Sequence, residues 1–102
     1  MDELFFEAMS NSHRRDIIKM LKWGNYSVNE ITSSLGISQP SVSRHLDILK
    51  KANIVVAERR ANRIIYSLNL SVMQEAIARL VEFLEGIKES SKYEYNENTC
   101  ND

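Results

Sequence analysis

The sequence has little cysteine, histidine, glycine or proline, and no long apolar run. Its one cysteine, Cys100, cannot form an internal disulfide bond, which predicts a reducing cytoplasmic environment. No apolar run approaches the ~18 residues that span a bilayer. The start of the chain, Met1-Asp2-Glu3, is acidic where a secretory signal is basic. We therefore expect one small cytoplasmic domain within the 102 residues.

Catalytic and metal sites are both poorly supported by the residues present. The two histidines, His13 and His45, fall on different predicted helices, whereas a structural zinc site needs about four ligands. The same shortage leaves no arrangement of nucleophile, base and orienting group, and three glycines form no phosphate-binding loop. The sequence therefore predicts neither an enzyme nor a metal sensor, and it indicates no cofactor.

Charge is distributed unevenly along the chain, although the formal net charge is only −1. Residues 1–11 carry a charge of −3, residues 12–70 carry +6 and residues 71–102 carry −4. An ordinary solvated surface can also be asymmetric. A basic middle section can nevertheless present a positive face, and the local field rather than the net charge governs binding to phosphates. The low pI therefore does not exclude nucleic acid as a partner.

Apolar residues at helical spacing predict four helices in the first half of the chain. The first contains residues 4–9, and the second follows candidate N-caps at residues 10–12. Ser27 and Glu30 have the spacing of a capping box, which predicts the start of a brief third helix that ends at Gly36.

A fourth helix follows almost at once. Ser38 can cap it, and Pro40 lies in its first turn, where a missing N–H group costs little. The short connection Gly36-Ile37 is typical of a helix-turn-helix. One face of the helix is predicted to be buried through Val42, Leu46 and Leu49.

The second half of the chain predicts a hairpin and a final helix. Residues 54–58 and 64–68 are rich in β-branched and aromatic residues and predict two strands. The tip between them, residues 59–63, contains no glycine, so we expect Asn62 to adopt the positive φ angle.

The final helix is predicted to begin at Ser71 and to run to about Ser90. Five of its apolar residues have the spacing of a coiled-coil seam. The predicted fold is therefore mostly α with a small β-hairpin, a winged helix-turn-helix of order ααααββα. We assign residues 1–91 to this winged-helix domain, and residues 92–102 to a disordered acidic tail.

The fourth helix and the hairpin also carry a family resemblance. Residues 37–46 resemble the recognition-helix signature of the ArsR-type winged-helix repressors, and residues 14–18 and 59–68 are similar to other parts of that family. The matches cover roughly residues 4–90, and the chain is most similar to the SdpR-like autorepressors without sensor ligands. This resemblance implies a transcriptional repressor that binds an inverted-repeat operator in double-stranded DNA as a homodimer. It also implies control through the repressor's own concentration, with a sequestering partner protein that the sequence does not identify.

The chain departs from the family pattern at several places. Residues 11–13 read Asn-Ser-His where Asp-Pro-Thr is usual, and Ala61-Asn62 replaces the glycine of the wing. Residues 30–33 lack the Cys-x-Cys pair of the metal sensors, and the final helix lacks the Asp and His ligands of other members. The missing ligands therefore predict repression that is independent of metal.

Candidate DNA contacts fall into two groups. An exposed helix with a serine-rich N-terminus can enter a major groove, and we assign this role to Ser38, Gln39, Ser41, Ser43, Arg44 and His45. Phosphate or minor-groove contacts are assigned to the wing residues Arg59, Arg60, Asn62 and Arg63. The alternatives are a packing role for His45 and protection of the edge strands by the arginines. Either a backbone phosphate or a helix C-terminus would suit Arg14, Arg15, Lys19 and Lys22.

Two apolar stripes predict a homodimer, because a chain this short cannot easily bury both. The stripes lie on the first and final helices and comprise Leu4, Phe5, Met9, Met73, Ile77, Leu80, Leu84 and Ile87. An alternative function is a winged-helix protein-interaction module whose fourth helix docks a protein instead of DNA. Because interaction faces are rich in apolar anchors, the polar and basic fourth helix favours DNA.

Overall fold

The computed structural model describes residues 3–101, and the side chains of residues 3–88. Within this range the elements are α1 (Glu3–Met9), α2 (Ser12–Trp23), β1 (Tyr26–Ser27), α3 (Val28–Leu35), α4 (Gln39–Lys51), β2 (Val55–Arg60), β3 (Arg63–Leu68) and α5 (Leu70–Asn101). The predicted winged helix-turn-helix is confirmed, with one strand more than the sequence predicts. None of the helices described is both long enough and apolar enough to cross a bilayer.

Side-chain caps determine where α2, α3 and α4 begin. The side chain of Asn11 accepts hydrogen bonds from two backbone N–H groups in the first turn of α2. Ser27 and Glu30 form the predicted capping box of α3, and Ser38 caps α4. Gly36 ends α3 with φ 71°, a left-handed conformation that glycine adopts without a steric penalty. Local sequence signals therefore predicted this part of the fold correctly.

The core lies where α2, α3 and α4 meet. Its largest fully buried side chains come from these helices and from the start of the hairpin: Ile17, Ile31, Val42, Leu46, Leu49 and Ile54. Burying each such side chain stabilises the fold by roughly 1.5–3 kcal/mol. Three of the six lie on one side of α4, so the opposite, polar side of that helix faces solvent.

The wing is a longer ribbon with a tighter tip than the sequence predicts. The strands pair as far as Arg60 and Arg63, so only Ala61 and Asn62 form the turn. Ala61, with φ 56°, adopts the left-handed conformation, and the prediction that Asn62 does so is wrong. A two-residue turn can place its positive φ at the first position, which in this sequence is an alanine.

A strand that the sequence does not predict joins the wing to the helix-turn-helix. β1 contains two residues, and it pairs antiparallel with β3 through Tyr26↔Tyr66 and Ser27↔Ile65. The sheet order is therefore β1-β3-β2. Two residues are too few to show the alternating pattern by which strands are recognised. The pairing places the N-terminus of α3 directly beside the wing.

The final helix differs from its prediction at both ends. The side chain of Asn69 accepts from the backbone N–H of Val72 at 3.4 Å, so Asn69 and not Ser71 is the cap. α5 extends to Asn101, where the sequence predicts an end near Ser90. No glycine or proline lies in residues 91–101 to end the helix. The boundary between residues 1–91 and 92–102 stays a prediction, because the side chains beyond Lys88 lie outside the described part.

Residues predicted to form the dimer divide into two sets. Phe5, Met9 and Met73 are partly buried and pack against the core of their own chain. The remainder are exposed, namely Leu4 (50%), Ile77 (58%), Leu80 (41%), Leu84 (52%) and Ile87 (47%). Every residue from Ile77 to Lys88 is exposed in the single chain. The described part of the domain therefore leaves the outer half of the heptad seam uncovered.

Candidate nucleic-acid interface

The first turn of α4 is held in place by its own side chains and by α3. Ser38 Oγ accepts from the backbone N–H of Ser41 at 3.3 Å and donates to the Ser41 hydroxyl at 2.9 Å. Gln39 Nε2 donates to Asn29 Oδ1 of α3 at 3.2 Å. Arg44 is exposed and has no hydrogen-bond partner within the described residues. The N-terminal part of α4 is therefore rigid and polar, with one outward guanidinium.

His45 is half-buried against the buried side chain of Arg14. The guanidinium of Arg14, 7% exposed, donates to the carbonyl oxygens of Ala8 and Glu7 at 2.8 Å each. A third nitrogen of this group lies 3.2 Å from His45 Nδ1. Arginine only donates, so Nδ1 is the acceptor and the imidazole proton is on Nε2. The ring of His13 lies 5.7 Å from the His45 ring.

Two of the basic residues of α2, Arg14 and Arg15, have a structural role that the sequence left open. Arg15 donates to the carbonyl oxygen of Met9 at 2.7 Å. Together with the two bonds from Arg14, this satisfies three carbonyl groups at the C-terminal end of α1. Such carbonyls have no partner inside their own helix, and a cation is favourable there. The sequence left two roles open for these arginines, a contact with a DNA phosphate or with a helix C-terminus. The structure shows the second role, and the helix is α1.

We expect acid to weaken the fold through His45. Burial, followed by the electrostatic effects of Arg14, His13 and Arg44, holds the pKa of the His45 ring below its ordinary value. The unfolded chain therefore binds more protons below about pH 6.5, so this contribution to the free energy of unfolding is lost as the pH falls through the lowered pKa. Urea unfolding at about pH 7.5 and about pH 5.5 measures the loss. His45→Gln should flatten the dependence, and an unchanged dependence in this variant would contradict the assignment.

The wing arginines differ in how they are engaged. Arg59 is exposed and has no side-chain partner in the described part of the chain. Arg60 makes a long, exposed contact of 3.4 Å with Glu58 on the same strand. Such pairs contribute little and give way easily to a competing anion. Both guanidinium groups can therefore exchange their surroundings for a DNA phosphate.

Arg63 makes shorter hydrogen bonds than Arg60 does, and its partners lie at the N-terminus of α3. Its Nη2 donates to Glu30 Oε1 at 2.9 Å and to Ser27 Oγ at 3.2 Å. The same carboxylate oxygen accepts from the backbone N–H of Ser27 at 2.9 Å, which completes the capping box. Hydrogen bonds from Ser27 hold the pKa of Glu30 below its ordinary value against the opposing effect of burial, and Arg63 lowers this pKa further by a smaller amount.

The structure brings three of the ten predicted DNA-contact residues to one groove. Its walls are the N-terminus of α3, the first residue of α4 and the wing tip, and it is lined in part by Gln39, Asn62 and Arg63. Asn29 and Glu30 line it too, and neither was predicted for the interface. The capping-box spacing located Glu30 at a helix start, but no local signal indicated its contact with a residue 33 positions away.

Metal ligands are scarce in this arrangement. Within the described residues, no group of three or more His, Cys, Asp and Glu side chains could hold a metal ion. The side chain of Cys100 lies outside the described part.

Comparison with known proteins agrees with the helix-turn-helix geometry. The family model described as "Bacterial regulatory protein, arsR family" matches residues 11–56. The "Transcriptional repressor SdpR" of Bacillus subtilis is 39% identical over 79 residues, which cover 78% of this chain and 88% of that protein. The chain belongs to the arsR family. It is a transcriptional regulator of the winged helix-turn-helix type.

Solved structures of this family agree with the fold. HlyU from Vibrio cholerae is 32% identical, with a TM-score of 0.62 over 76% of this chain and 87% of that one. NolR from Sinorhizobium fredii is 33% identical, with a TM-score of 0.64 over 78% and 80%. HlyU of Vibrio cholerae is also described as a transcriptional activator. Membership of the family therefore establishes the class of regulator but not the direction of regulation.

Proposed function

We propose that this arsR-family protein is a transcriptional repressor that binds an inverted-repeat operator as a homodimer and needs no metal. The observation that carries the proposal is the groove between α4 and the wing, which has Gln39 on one side and Asn62 and Arg63 on the other. The strand beside it carries two further exposed arginines, Arg59 and Arg60. Similarity to the repressor SdpR over 88% of its length favours repression over activation. From the same similarity we infer that the protein represses its own gene.

The recognition helix would read bases through its first two turns. Serine and glutamine side chains can bond to base edges, and arginine can bind guanine through two hydrogen bonds. We assign these contacts to Ser38, Gln39, Ser41, Ser43 and Arg44. His45 would donate to the DNA from Nε2, since its Nδ1 is engaged by Arg14.

The wing would supply affinity rather than base recognition. Each arginine that neutralises a phosphate releases counterions, so its contribution does not depend on sequence and falls as salt rises. Arg59 and Arg60 are suited to this role, with Asn62 beside them in the turn. Arg63 is already paired with Glu30.

A second copy of the chain would cover the exposed apolar face of α5. The exposed seam residues recur at intervals of three and four, the pattern of two packed helices. A two-fold dimer places two recognition helices about 34 Å apart, which matches successive turns of the major groove on an inverted repeat.

The competing function, a protein-interaction module, is less well supported. Exposed apolar anchors would be expected on α4, but its outward side chains near the N-terminus are polar or basic. Fluorescence anisotropy separates the two functions, with the promoter duplex upstream of the gene and a scrambled duplex as probes. We expect tighter binding to the promoter and a steep loss of affinity as salt rises. Equal, weak binding to both duplexes would contradict the proposal.

Metal independence is expected because the described residues hold no set of ligands. Adding stoichiometric zinc, or stripping metal with a chelator, should leave operator affinity unchanged within about two-fold. A gel-shift titration in each condition measures this. An affinity change of about tenfold or more would overturn this part of the proposal.

A further inference from the structure

We propose that Glu30 and Arg63 form a brace that orients the wing on DNA, with Arg63 as a positioning residue rather than a phosphate ligand. The brace consists of these two side chains and Ser27, the cap of α3. The inference rests on the proposed DNA-binding function. The brace gives Glu30 of α3 a role in the selection of DNA sequence.

The tip of the wing needs such a support because it projects beyond the three-stranded part of the sheet. β1 pairs with β3 only at Ile65 and Tyr66. The ribbon from residue 59 to residue 64 therefore has two strands and no third neighbour. An isolated two-stranded ribbon is only marginally stable in water, so its direction depends on contacts outside the sheet.

Arg63 supplies the missing contact from the base of the turn. It is the first residue of β3, and its guanidinium reaches both Glu30 and Ser27. Ser27 is 6% exposed and is fixed by its own strand pairing and by the capping box. The brace therefore joins the two-stranded end of the ribbon to the capped start of α3.

Electrostatics favours an intact brace in the DNA complex. If Arg63 left for a phosphate, the carboxylate of Glu30 would remain without its cation in a groove that faces a polyanion. The hydrogen bonds from Ser27 keep this carboxylate ionised, so protonation would not relieve the repulsion. With Arg63 in place the pair is neutral, and Arg59 and Arg60 remain to neutralise phosphates.

The experiment measures affinity for two probes at several salt concentrations. The probes are a duplex selected from a random pool by repeated binding to the wild-type chain, and a scrambled duplex of equal length and composition. Glu30→Gln removes the charge but keeps an oxygen for the capping box, which accepts glutamine as well as glutamate. Glu58→Gln is the matched control, because it removes the same charge beside Arg60. Circular dichroism of each variant verifies that it is folded at the temperature used.

The brace predicts a loss of selectivity without a loss of phosphate contacts. Glu30→Gln and Arg63→Ala should each lower the ratio of selected to scrambled affinity by about five-fold, and the double variant should lower it no further. Arg63→Ala should leave the salt dependence of binding unchanged, whereas Arg60→Ala should reduce its slope by about 1. Glu58→Gln should leave the selectivity ratio at the wild-type value.

Two results would overturn the brace while the proposed function stands. One is a salt slope in Arg63→Ala that falls as it does in Arg60→Ala, which would make Arg63 a phosphate ligand. The other is a selectivity ratio in Glu30→Gln equal to that in Glu58→Gln, which would reduce Glu30 to a general negative charge. If the wild-type chain selects no duplex from the pool, the proposed function fails, and the brace fails with it.

Discussion

Replacing Leu80 and Leu84 with glutamate should give a folded monomer that has lost operator binding. Both side chains are already 41% and 52% exposed in the single chain, so the substitutions leave its own core intact. In a dimer seam the two carboxylates would be buried without partners, which is strongly unfavourable. Loss of the second half-site should weaken operator binding by about 100-fold or more. Light scattering after gel filtration and fluorescence anisotropy measure the two effects.

The control for this experiment adds the same charges elsewhere on α5. Ser71 and Ala78 are exposed and lie off the heptad seam, so Ser71→Glu with Ala78→Glu should leave the dimer and its DNA binding intact. A wild-type chain that is monomeric at micromolar concentration and still binds the operator tightly would refute the dimer. A control variant that is monomeric would instead contradict the assignment of the seam, because its charges lie outside it.

Arg44→Ala should change which DNA sequence is preferred, with little effect on stability. The side chain is exposed and makes no hydrogen bond within the described residues, so its removal leaves no buried group without a partner. If it binds guanine through two hydrogen bonds, its loss costs about 1–3 kcal/mol at one base pair of each half-site. Affinities for a set of operators, each substituted at one position, would locate that base pair.

Arg60→Ala provides the contrast for this prediction. Its guanidinium is exposed at the end of β2, and we expect a phosphate contact from it. The variant should weaken binding to all the operators alike and reduce the salt dependence. An unchanged operator preference in Arg44→Ala would show that Arg44 does not contact a base.

Much of the fold could be predicted from the sequence because its signals are local. The cap at Ser38, the proline in the next turn and the glycine at position 36 act on their own helices within a few residues. The apolar spacing of α4 likewise determined which side of that helix faces the core. The polar side was thereby predicted as well, and most of the candidate recognition residues lie on it.

Only the tertiary structure decided how these parts are joined. Arg14 bonds to His45 across 31 positions, and Arg63 bonds to Glu30 across 33. Strand β1, which brings α3 beside the wing, has just two residues. Contacts of this kind produce no periodic or local pattern in the sequence, because they depend on how two separate elements pack against each other. The sequence by itself therefore determined the helices, the core face and the class of regulator. Packing decided which basic residues are bound within the domain and which stay exposed.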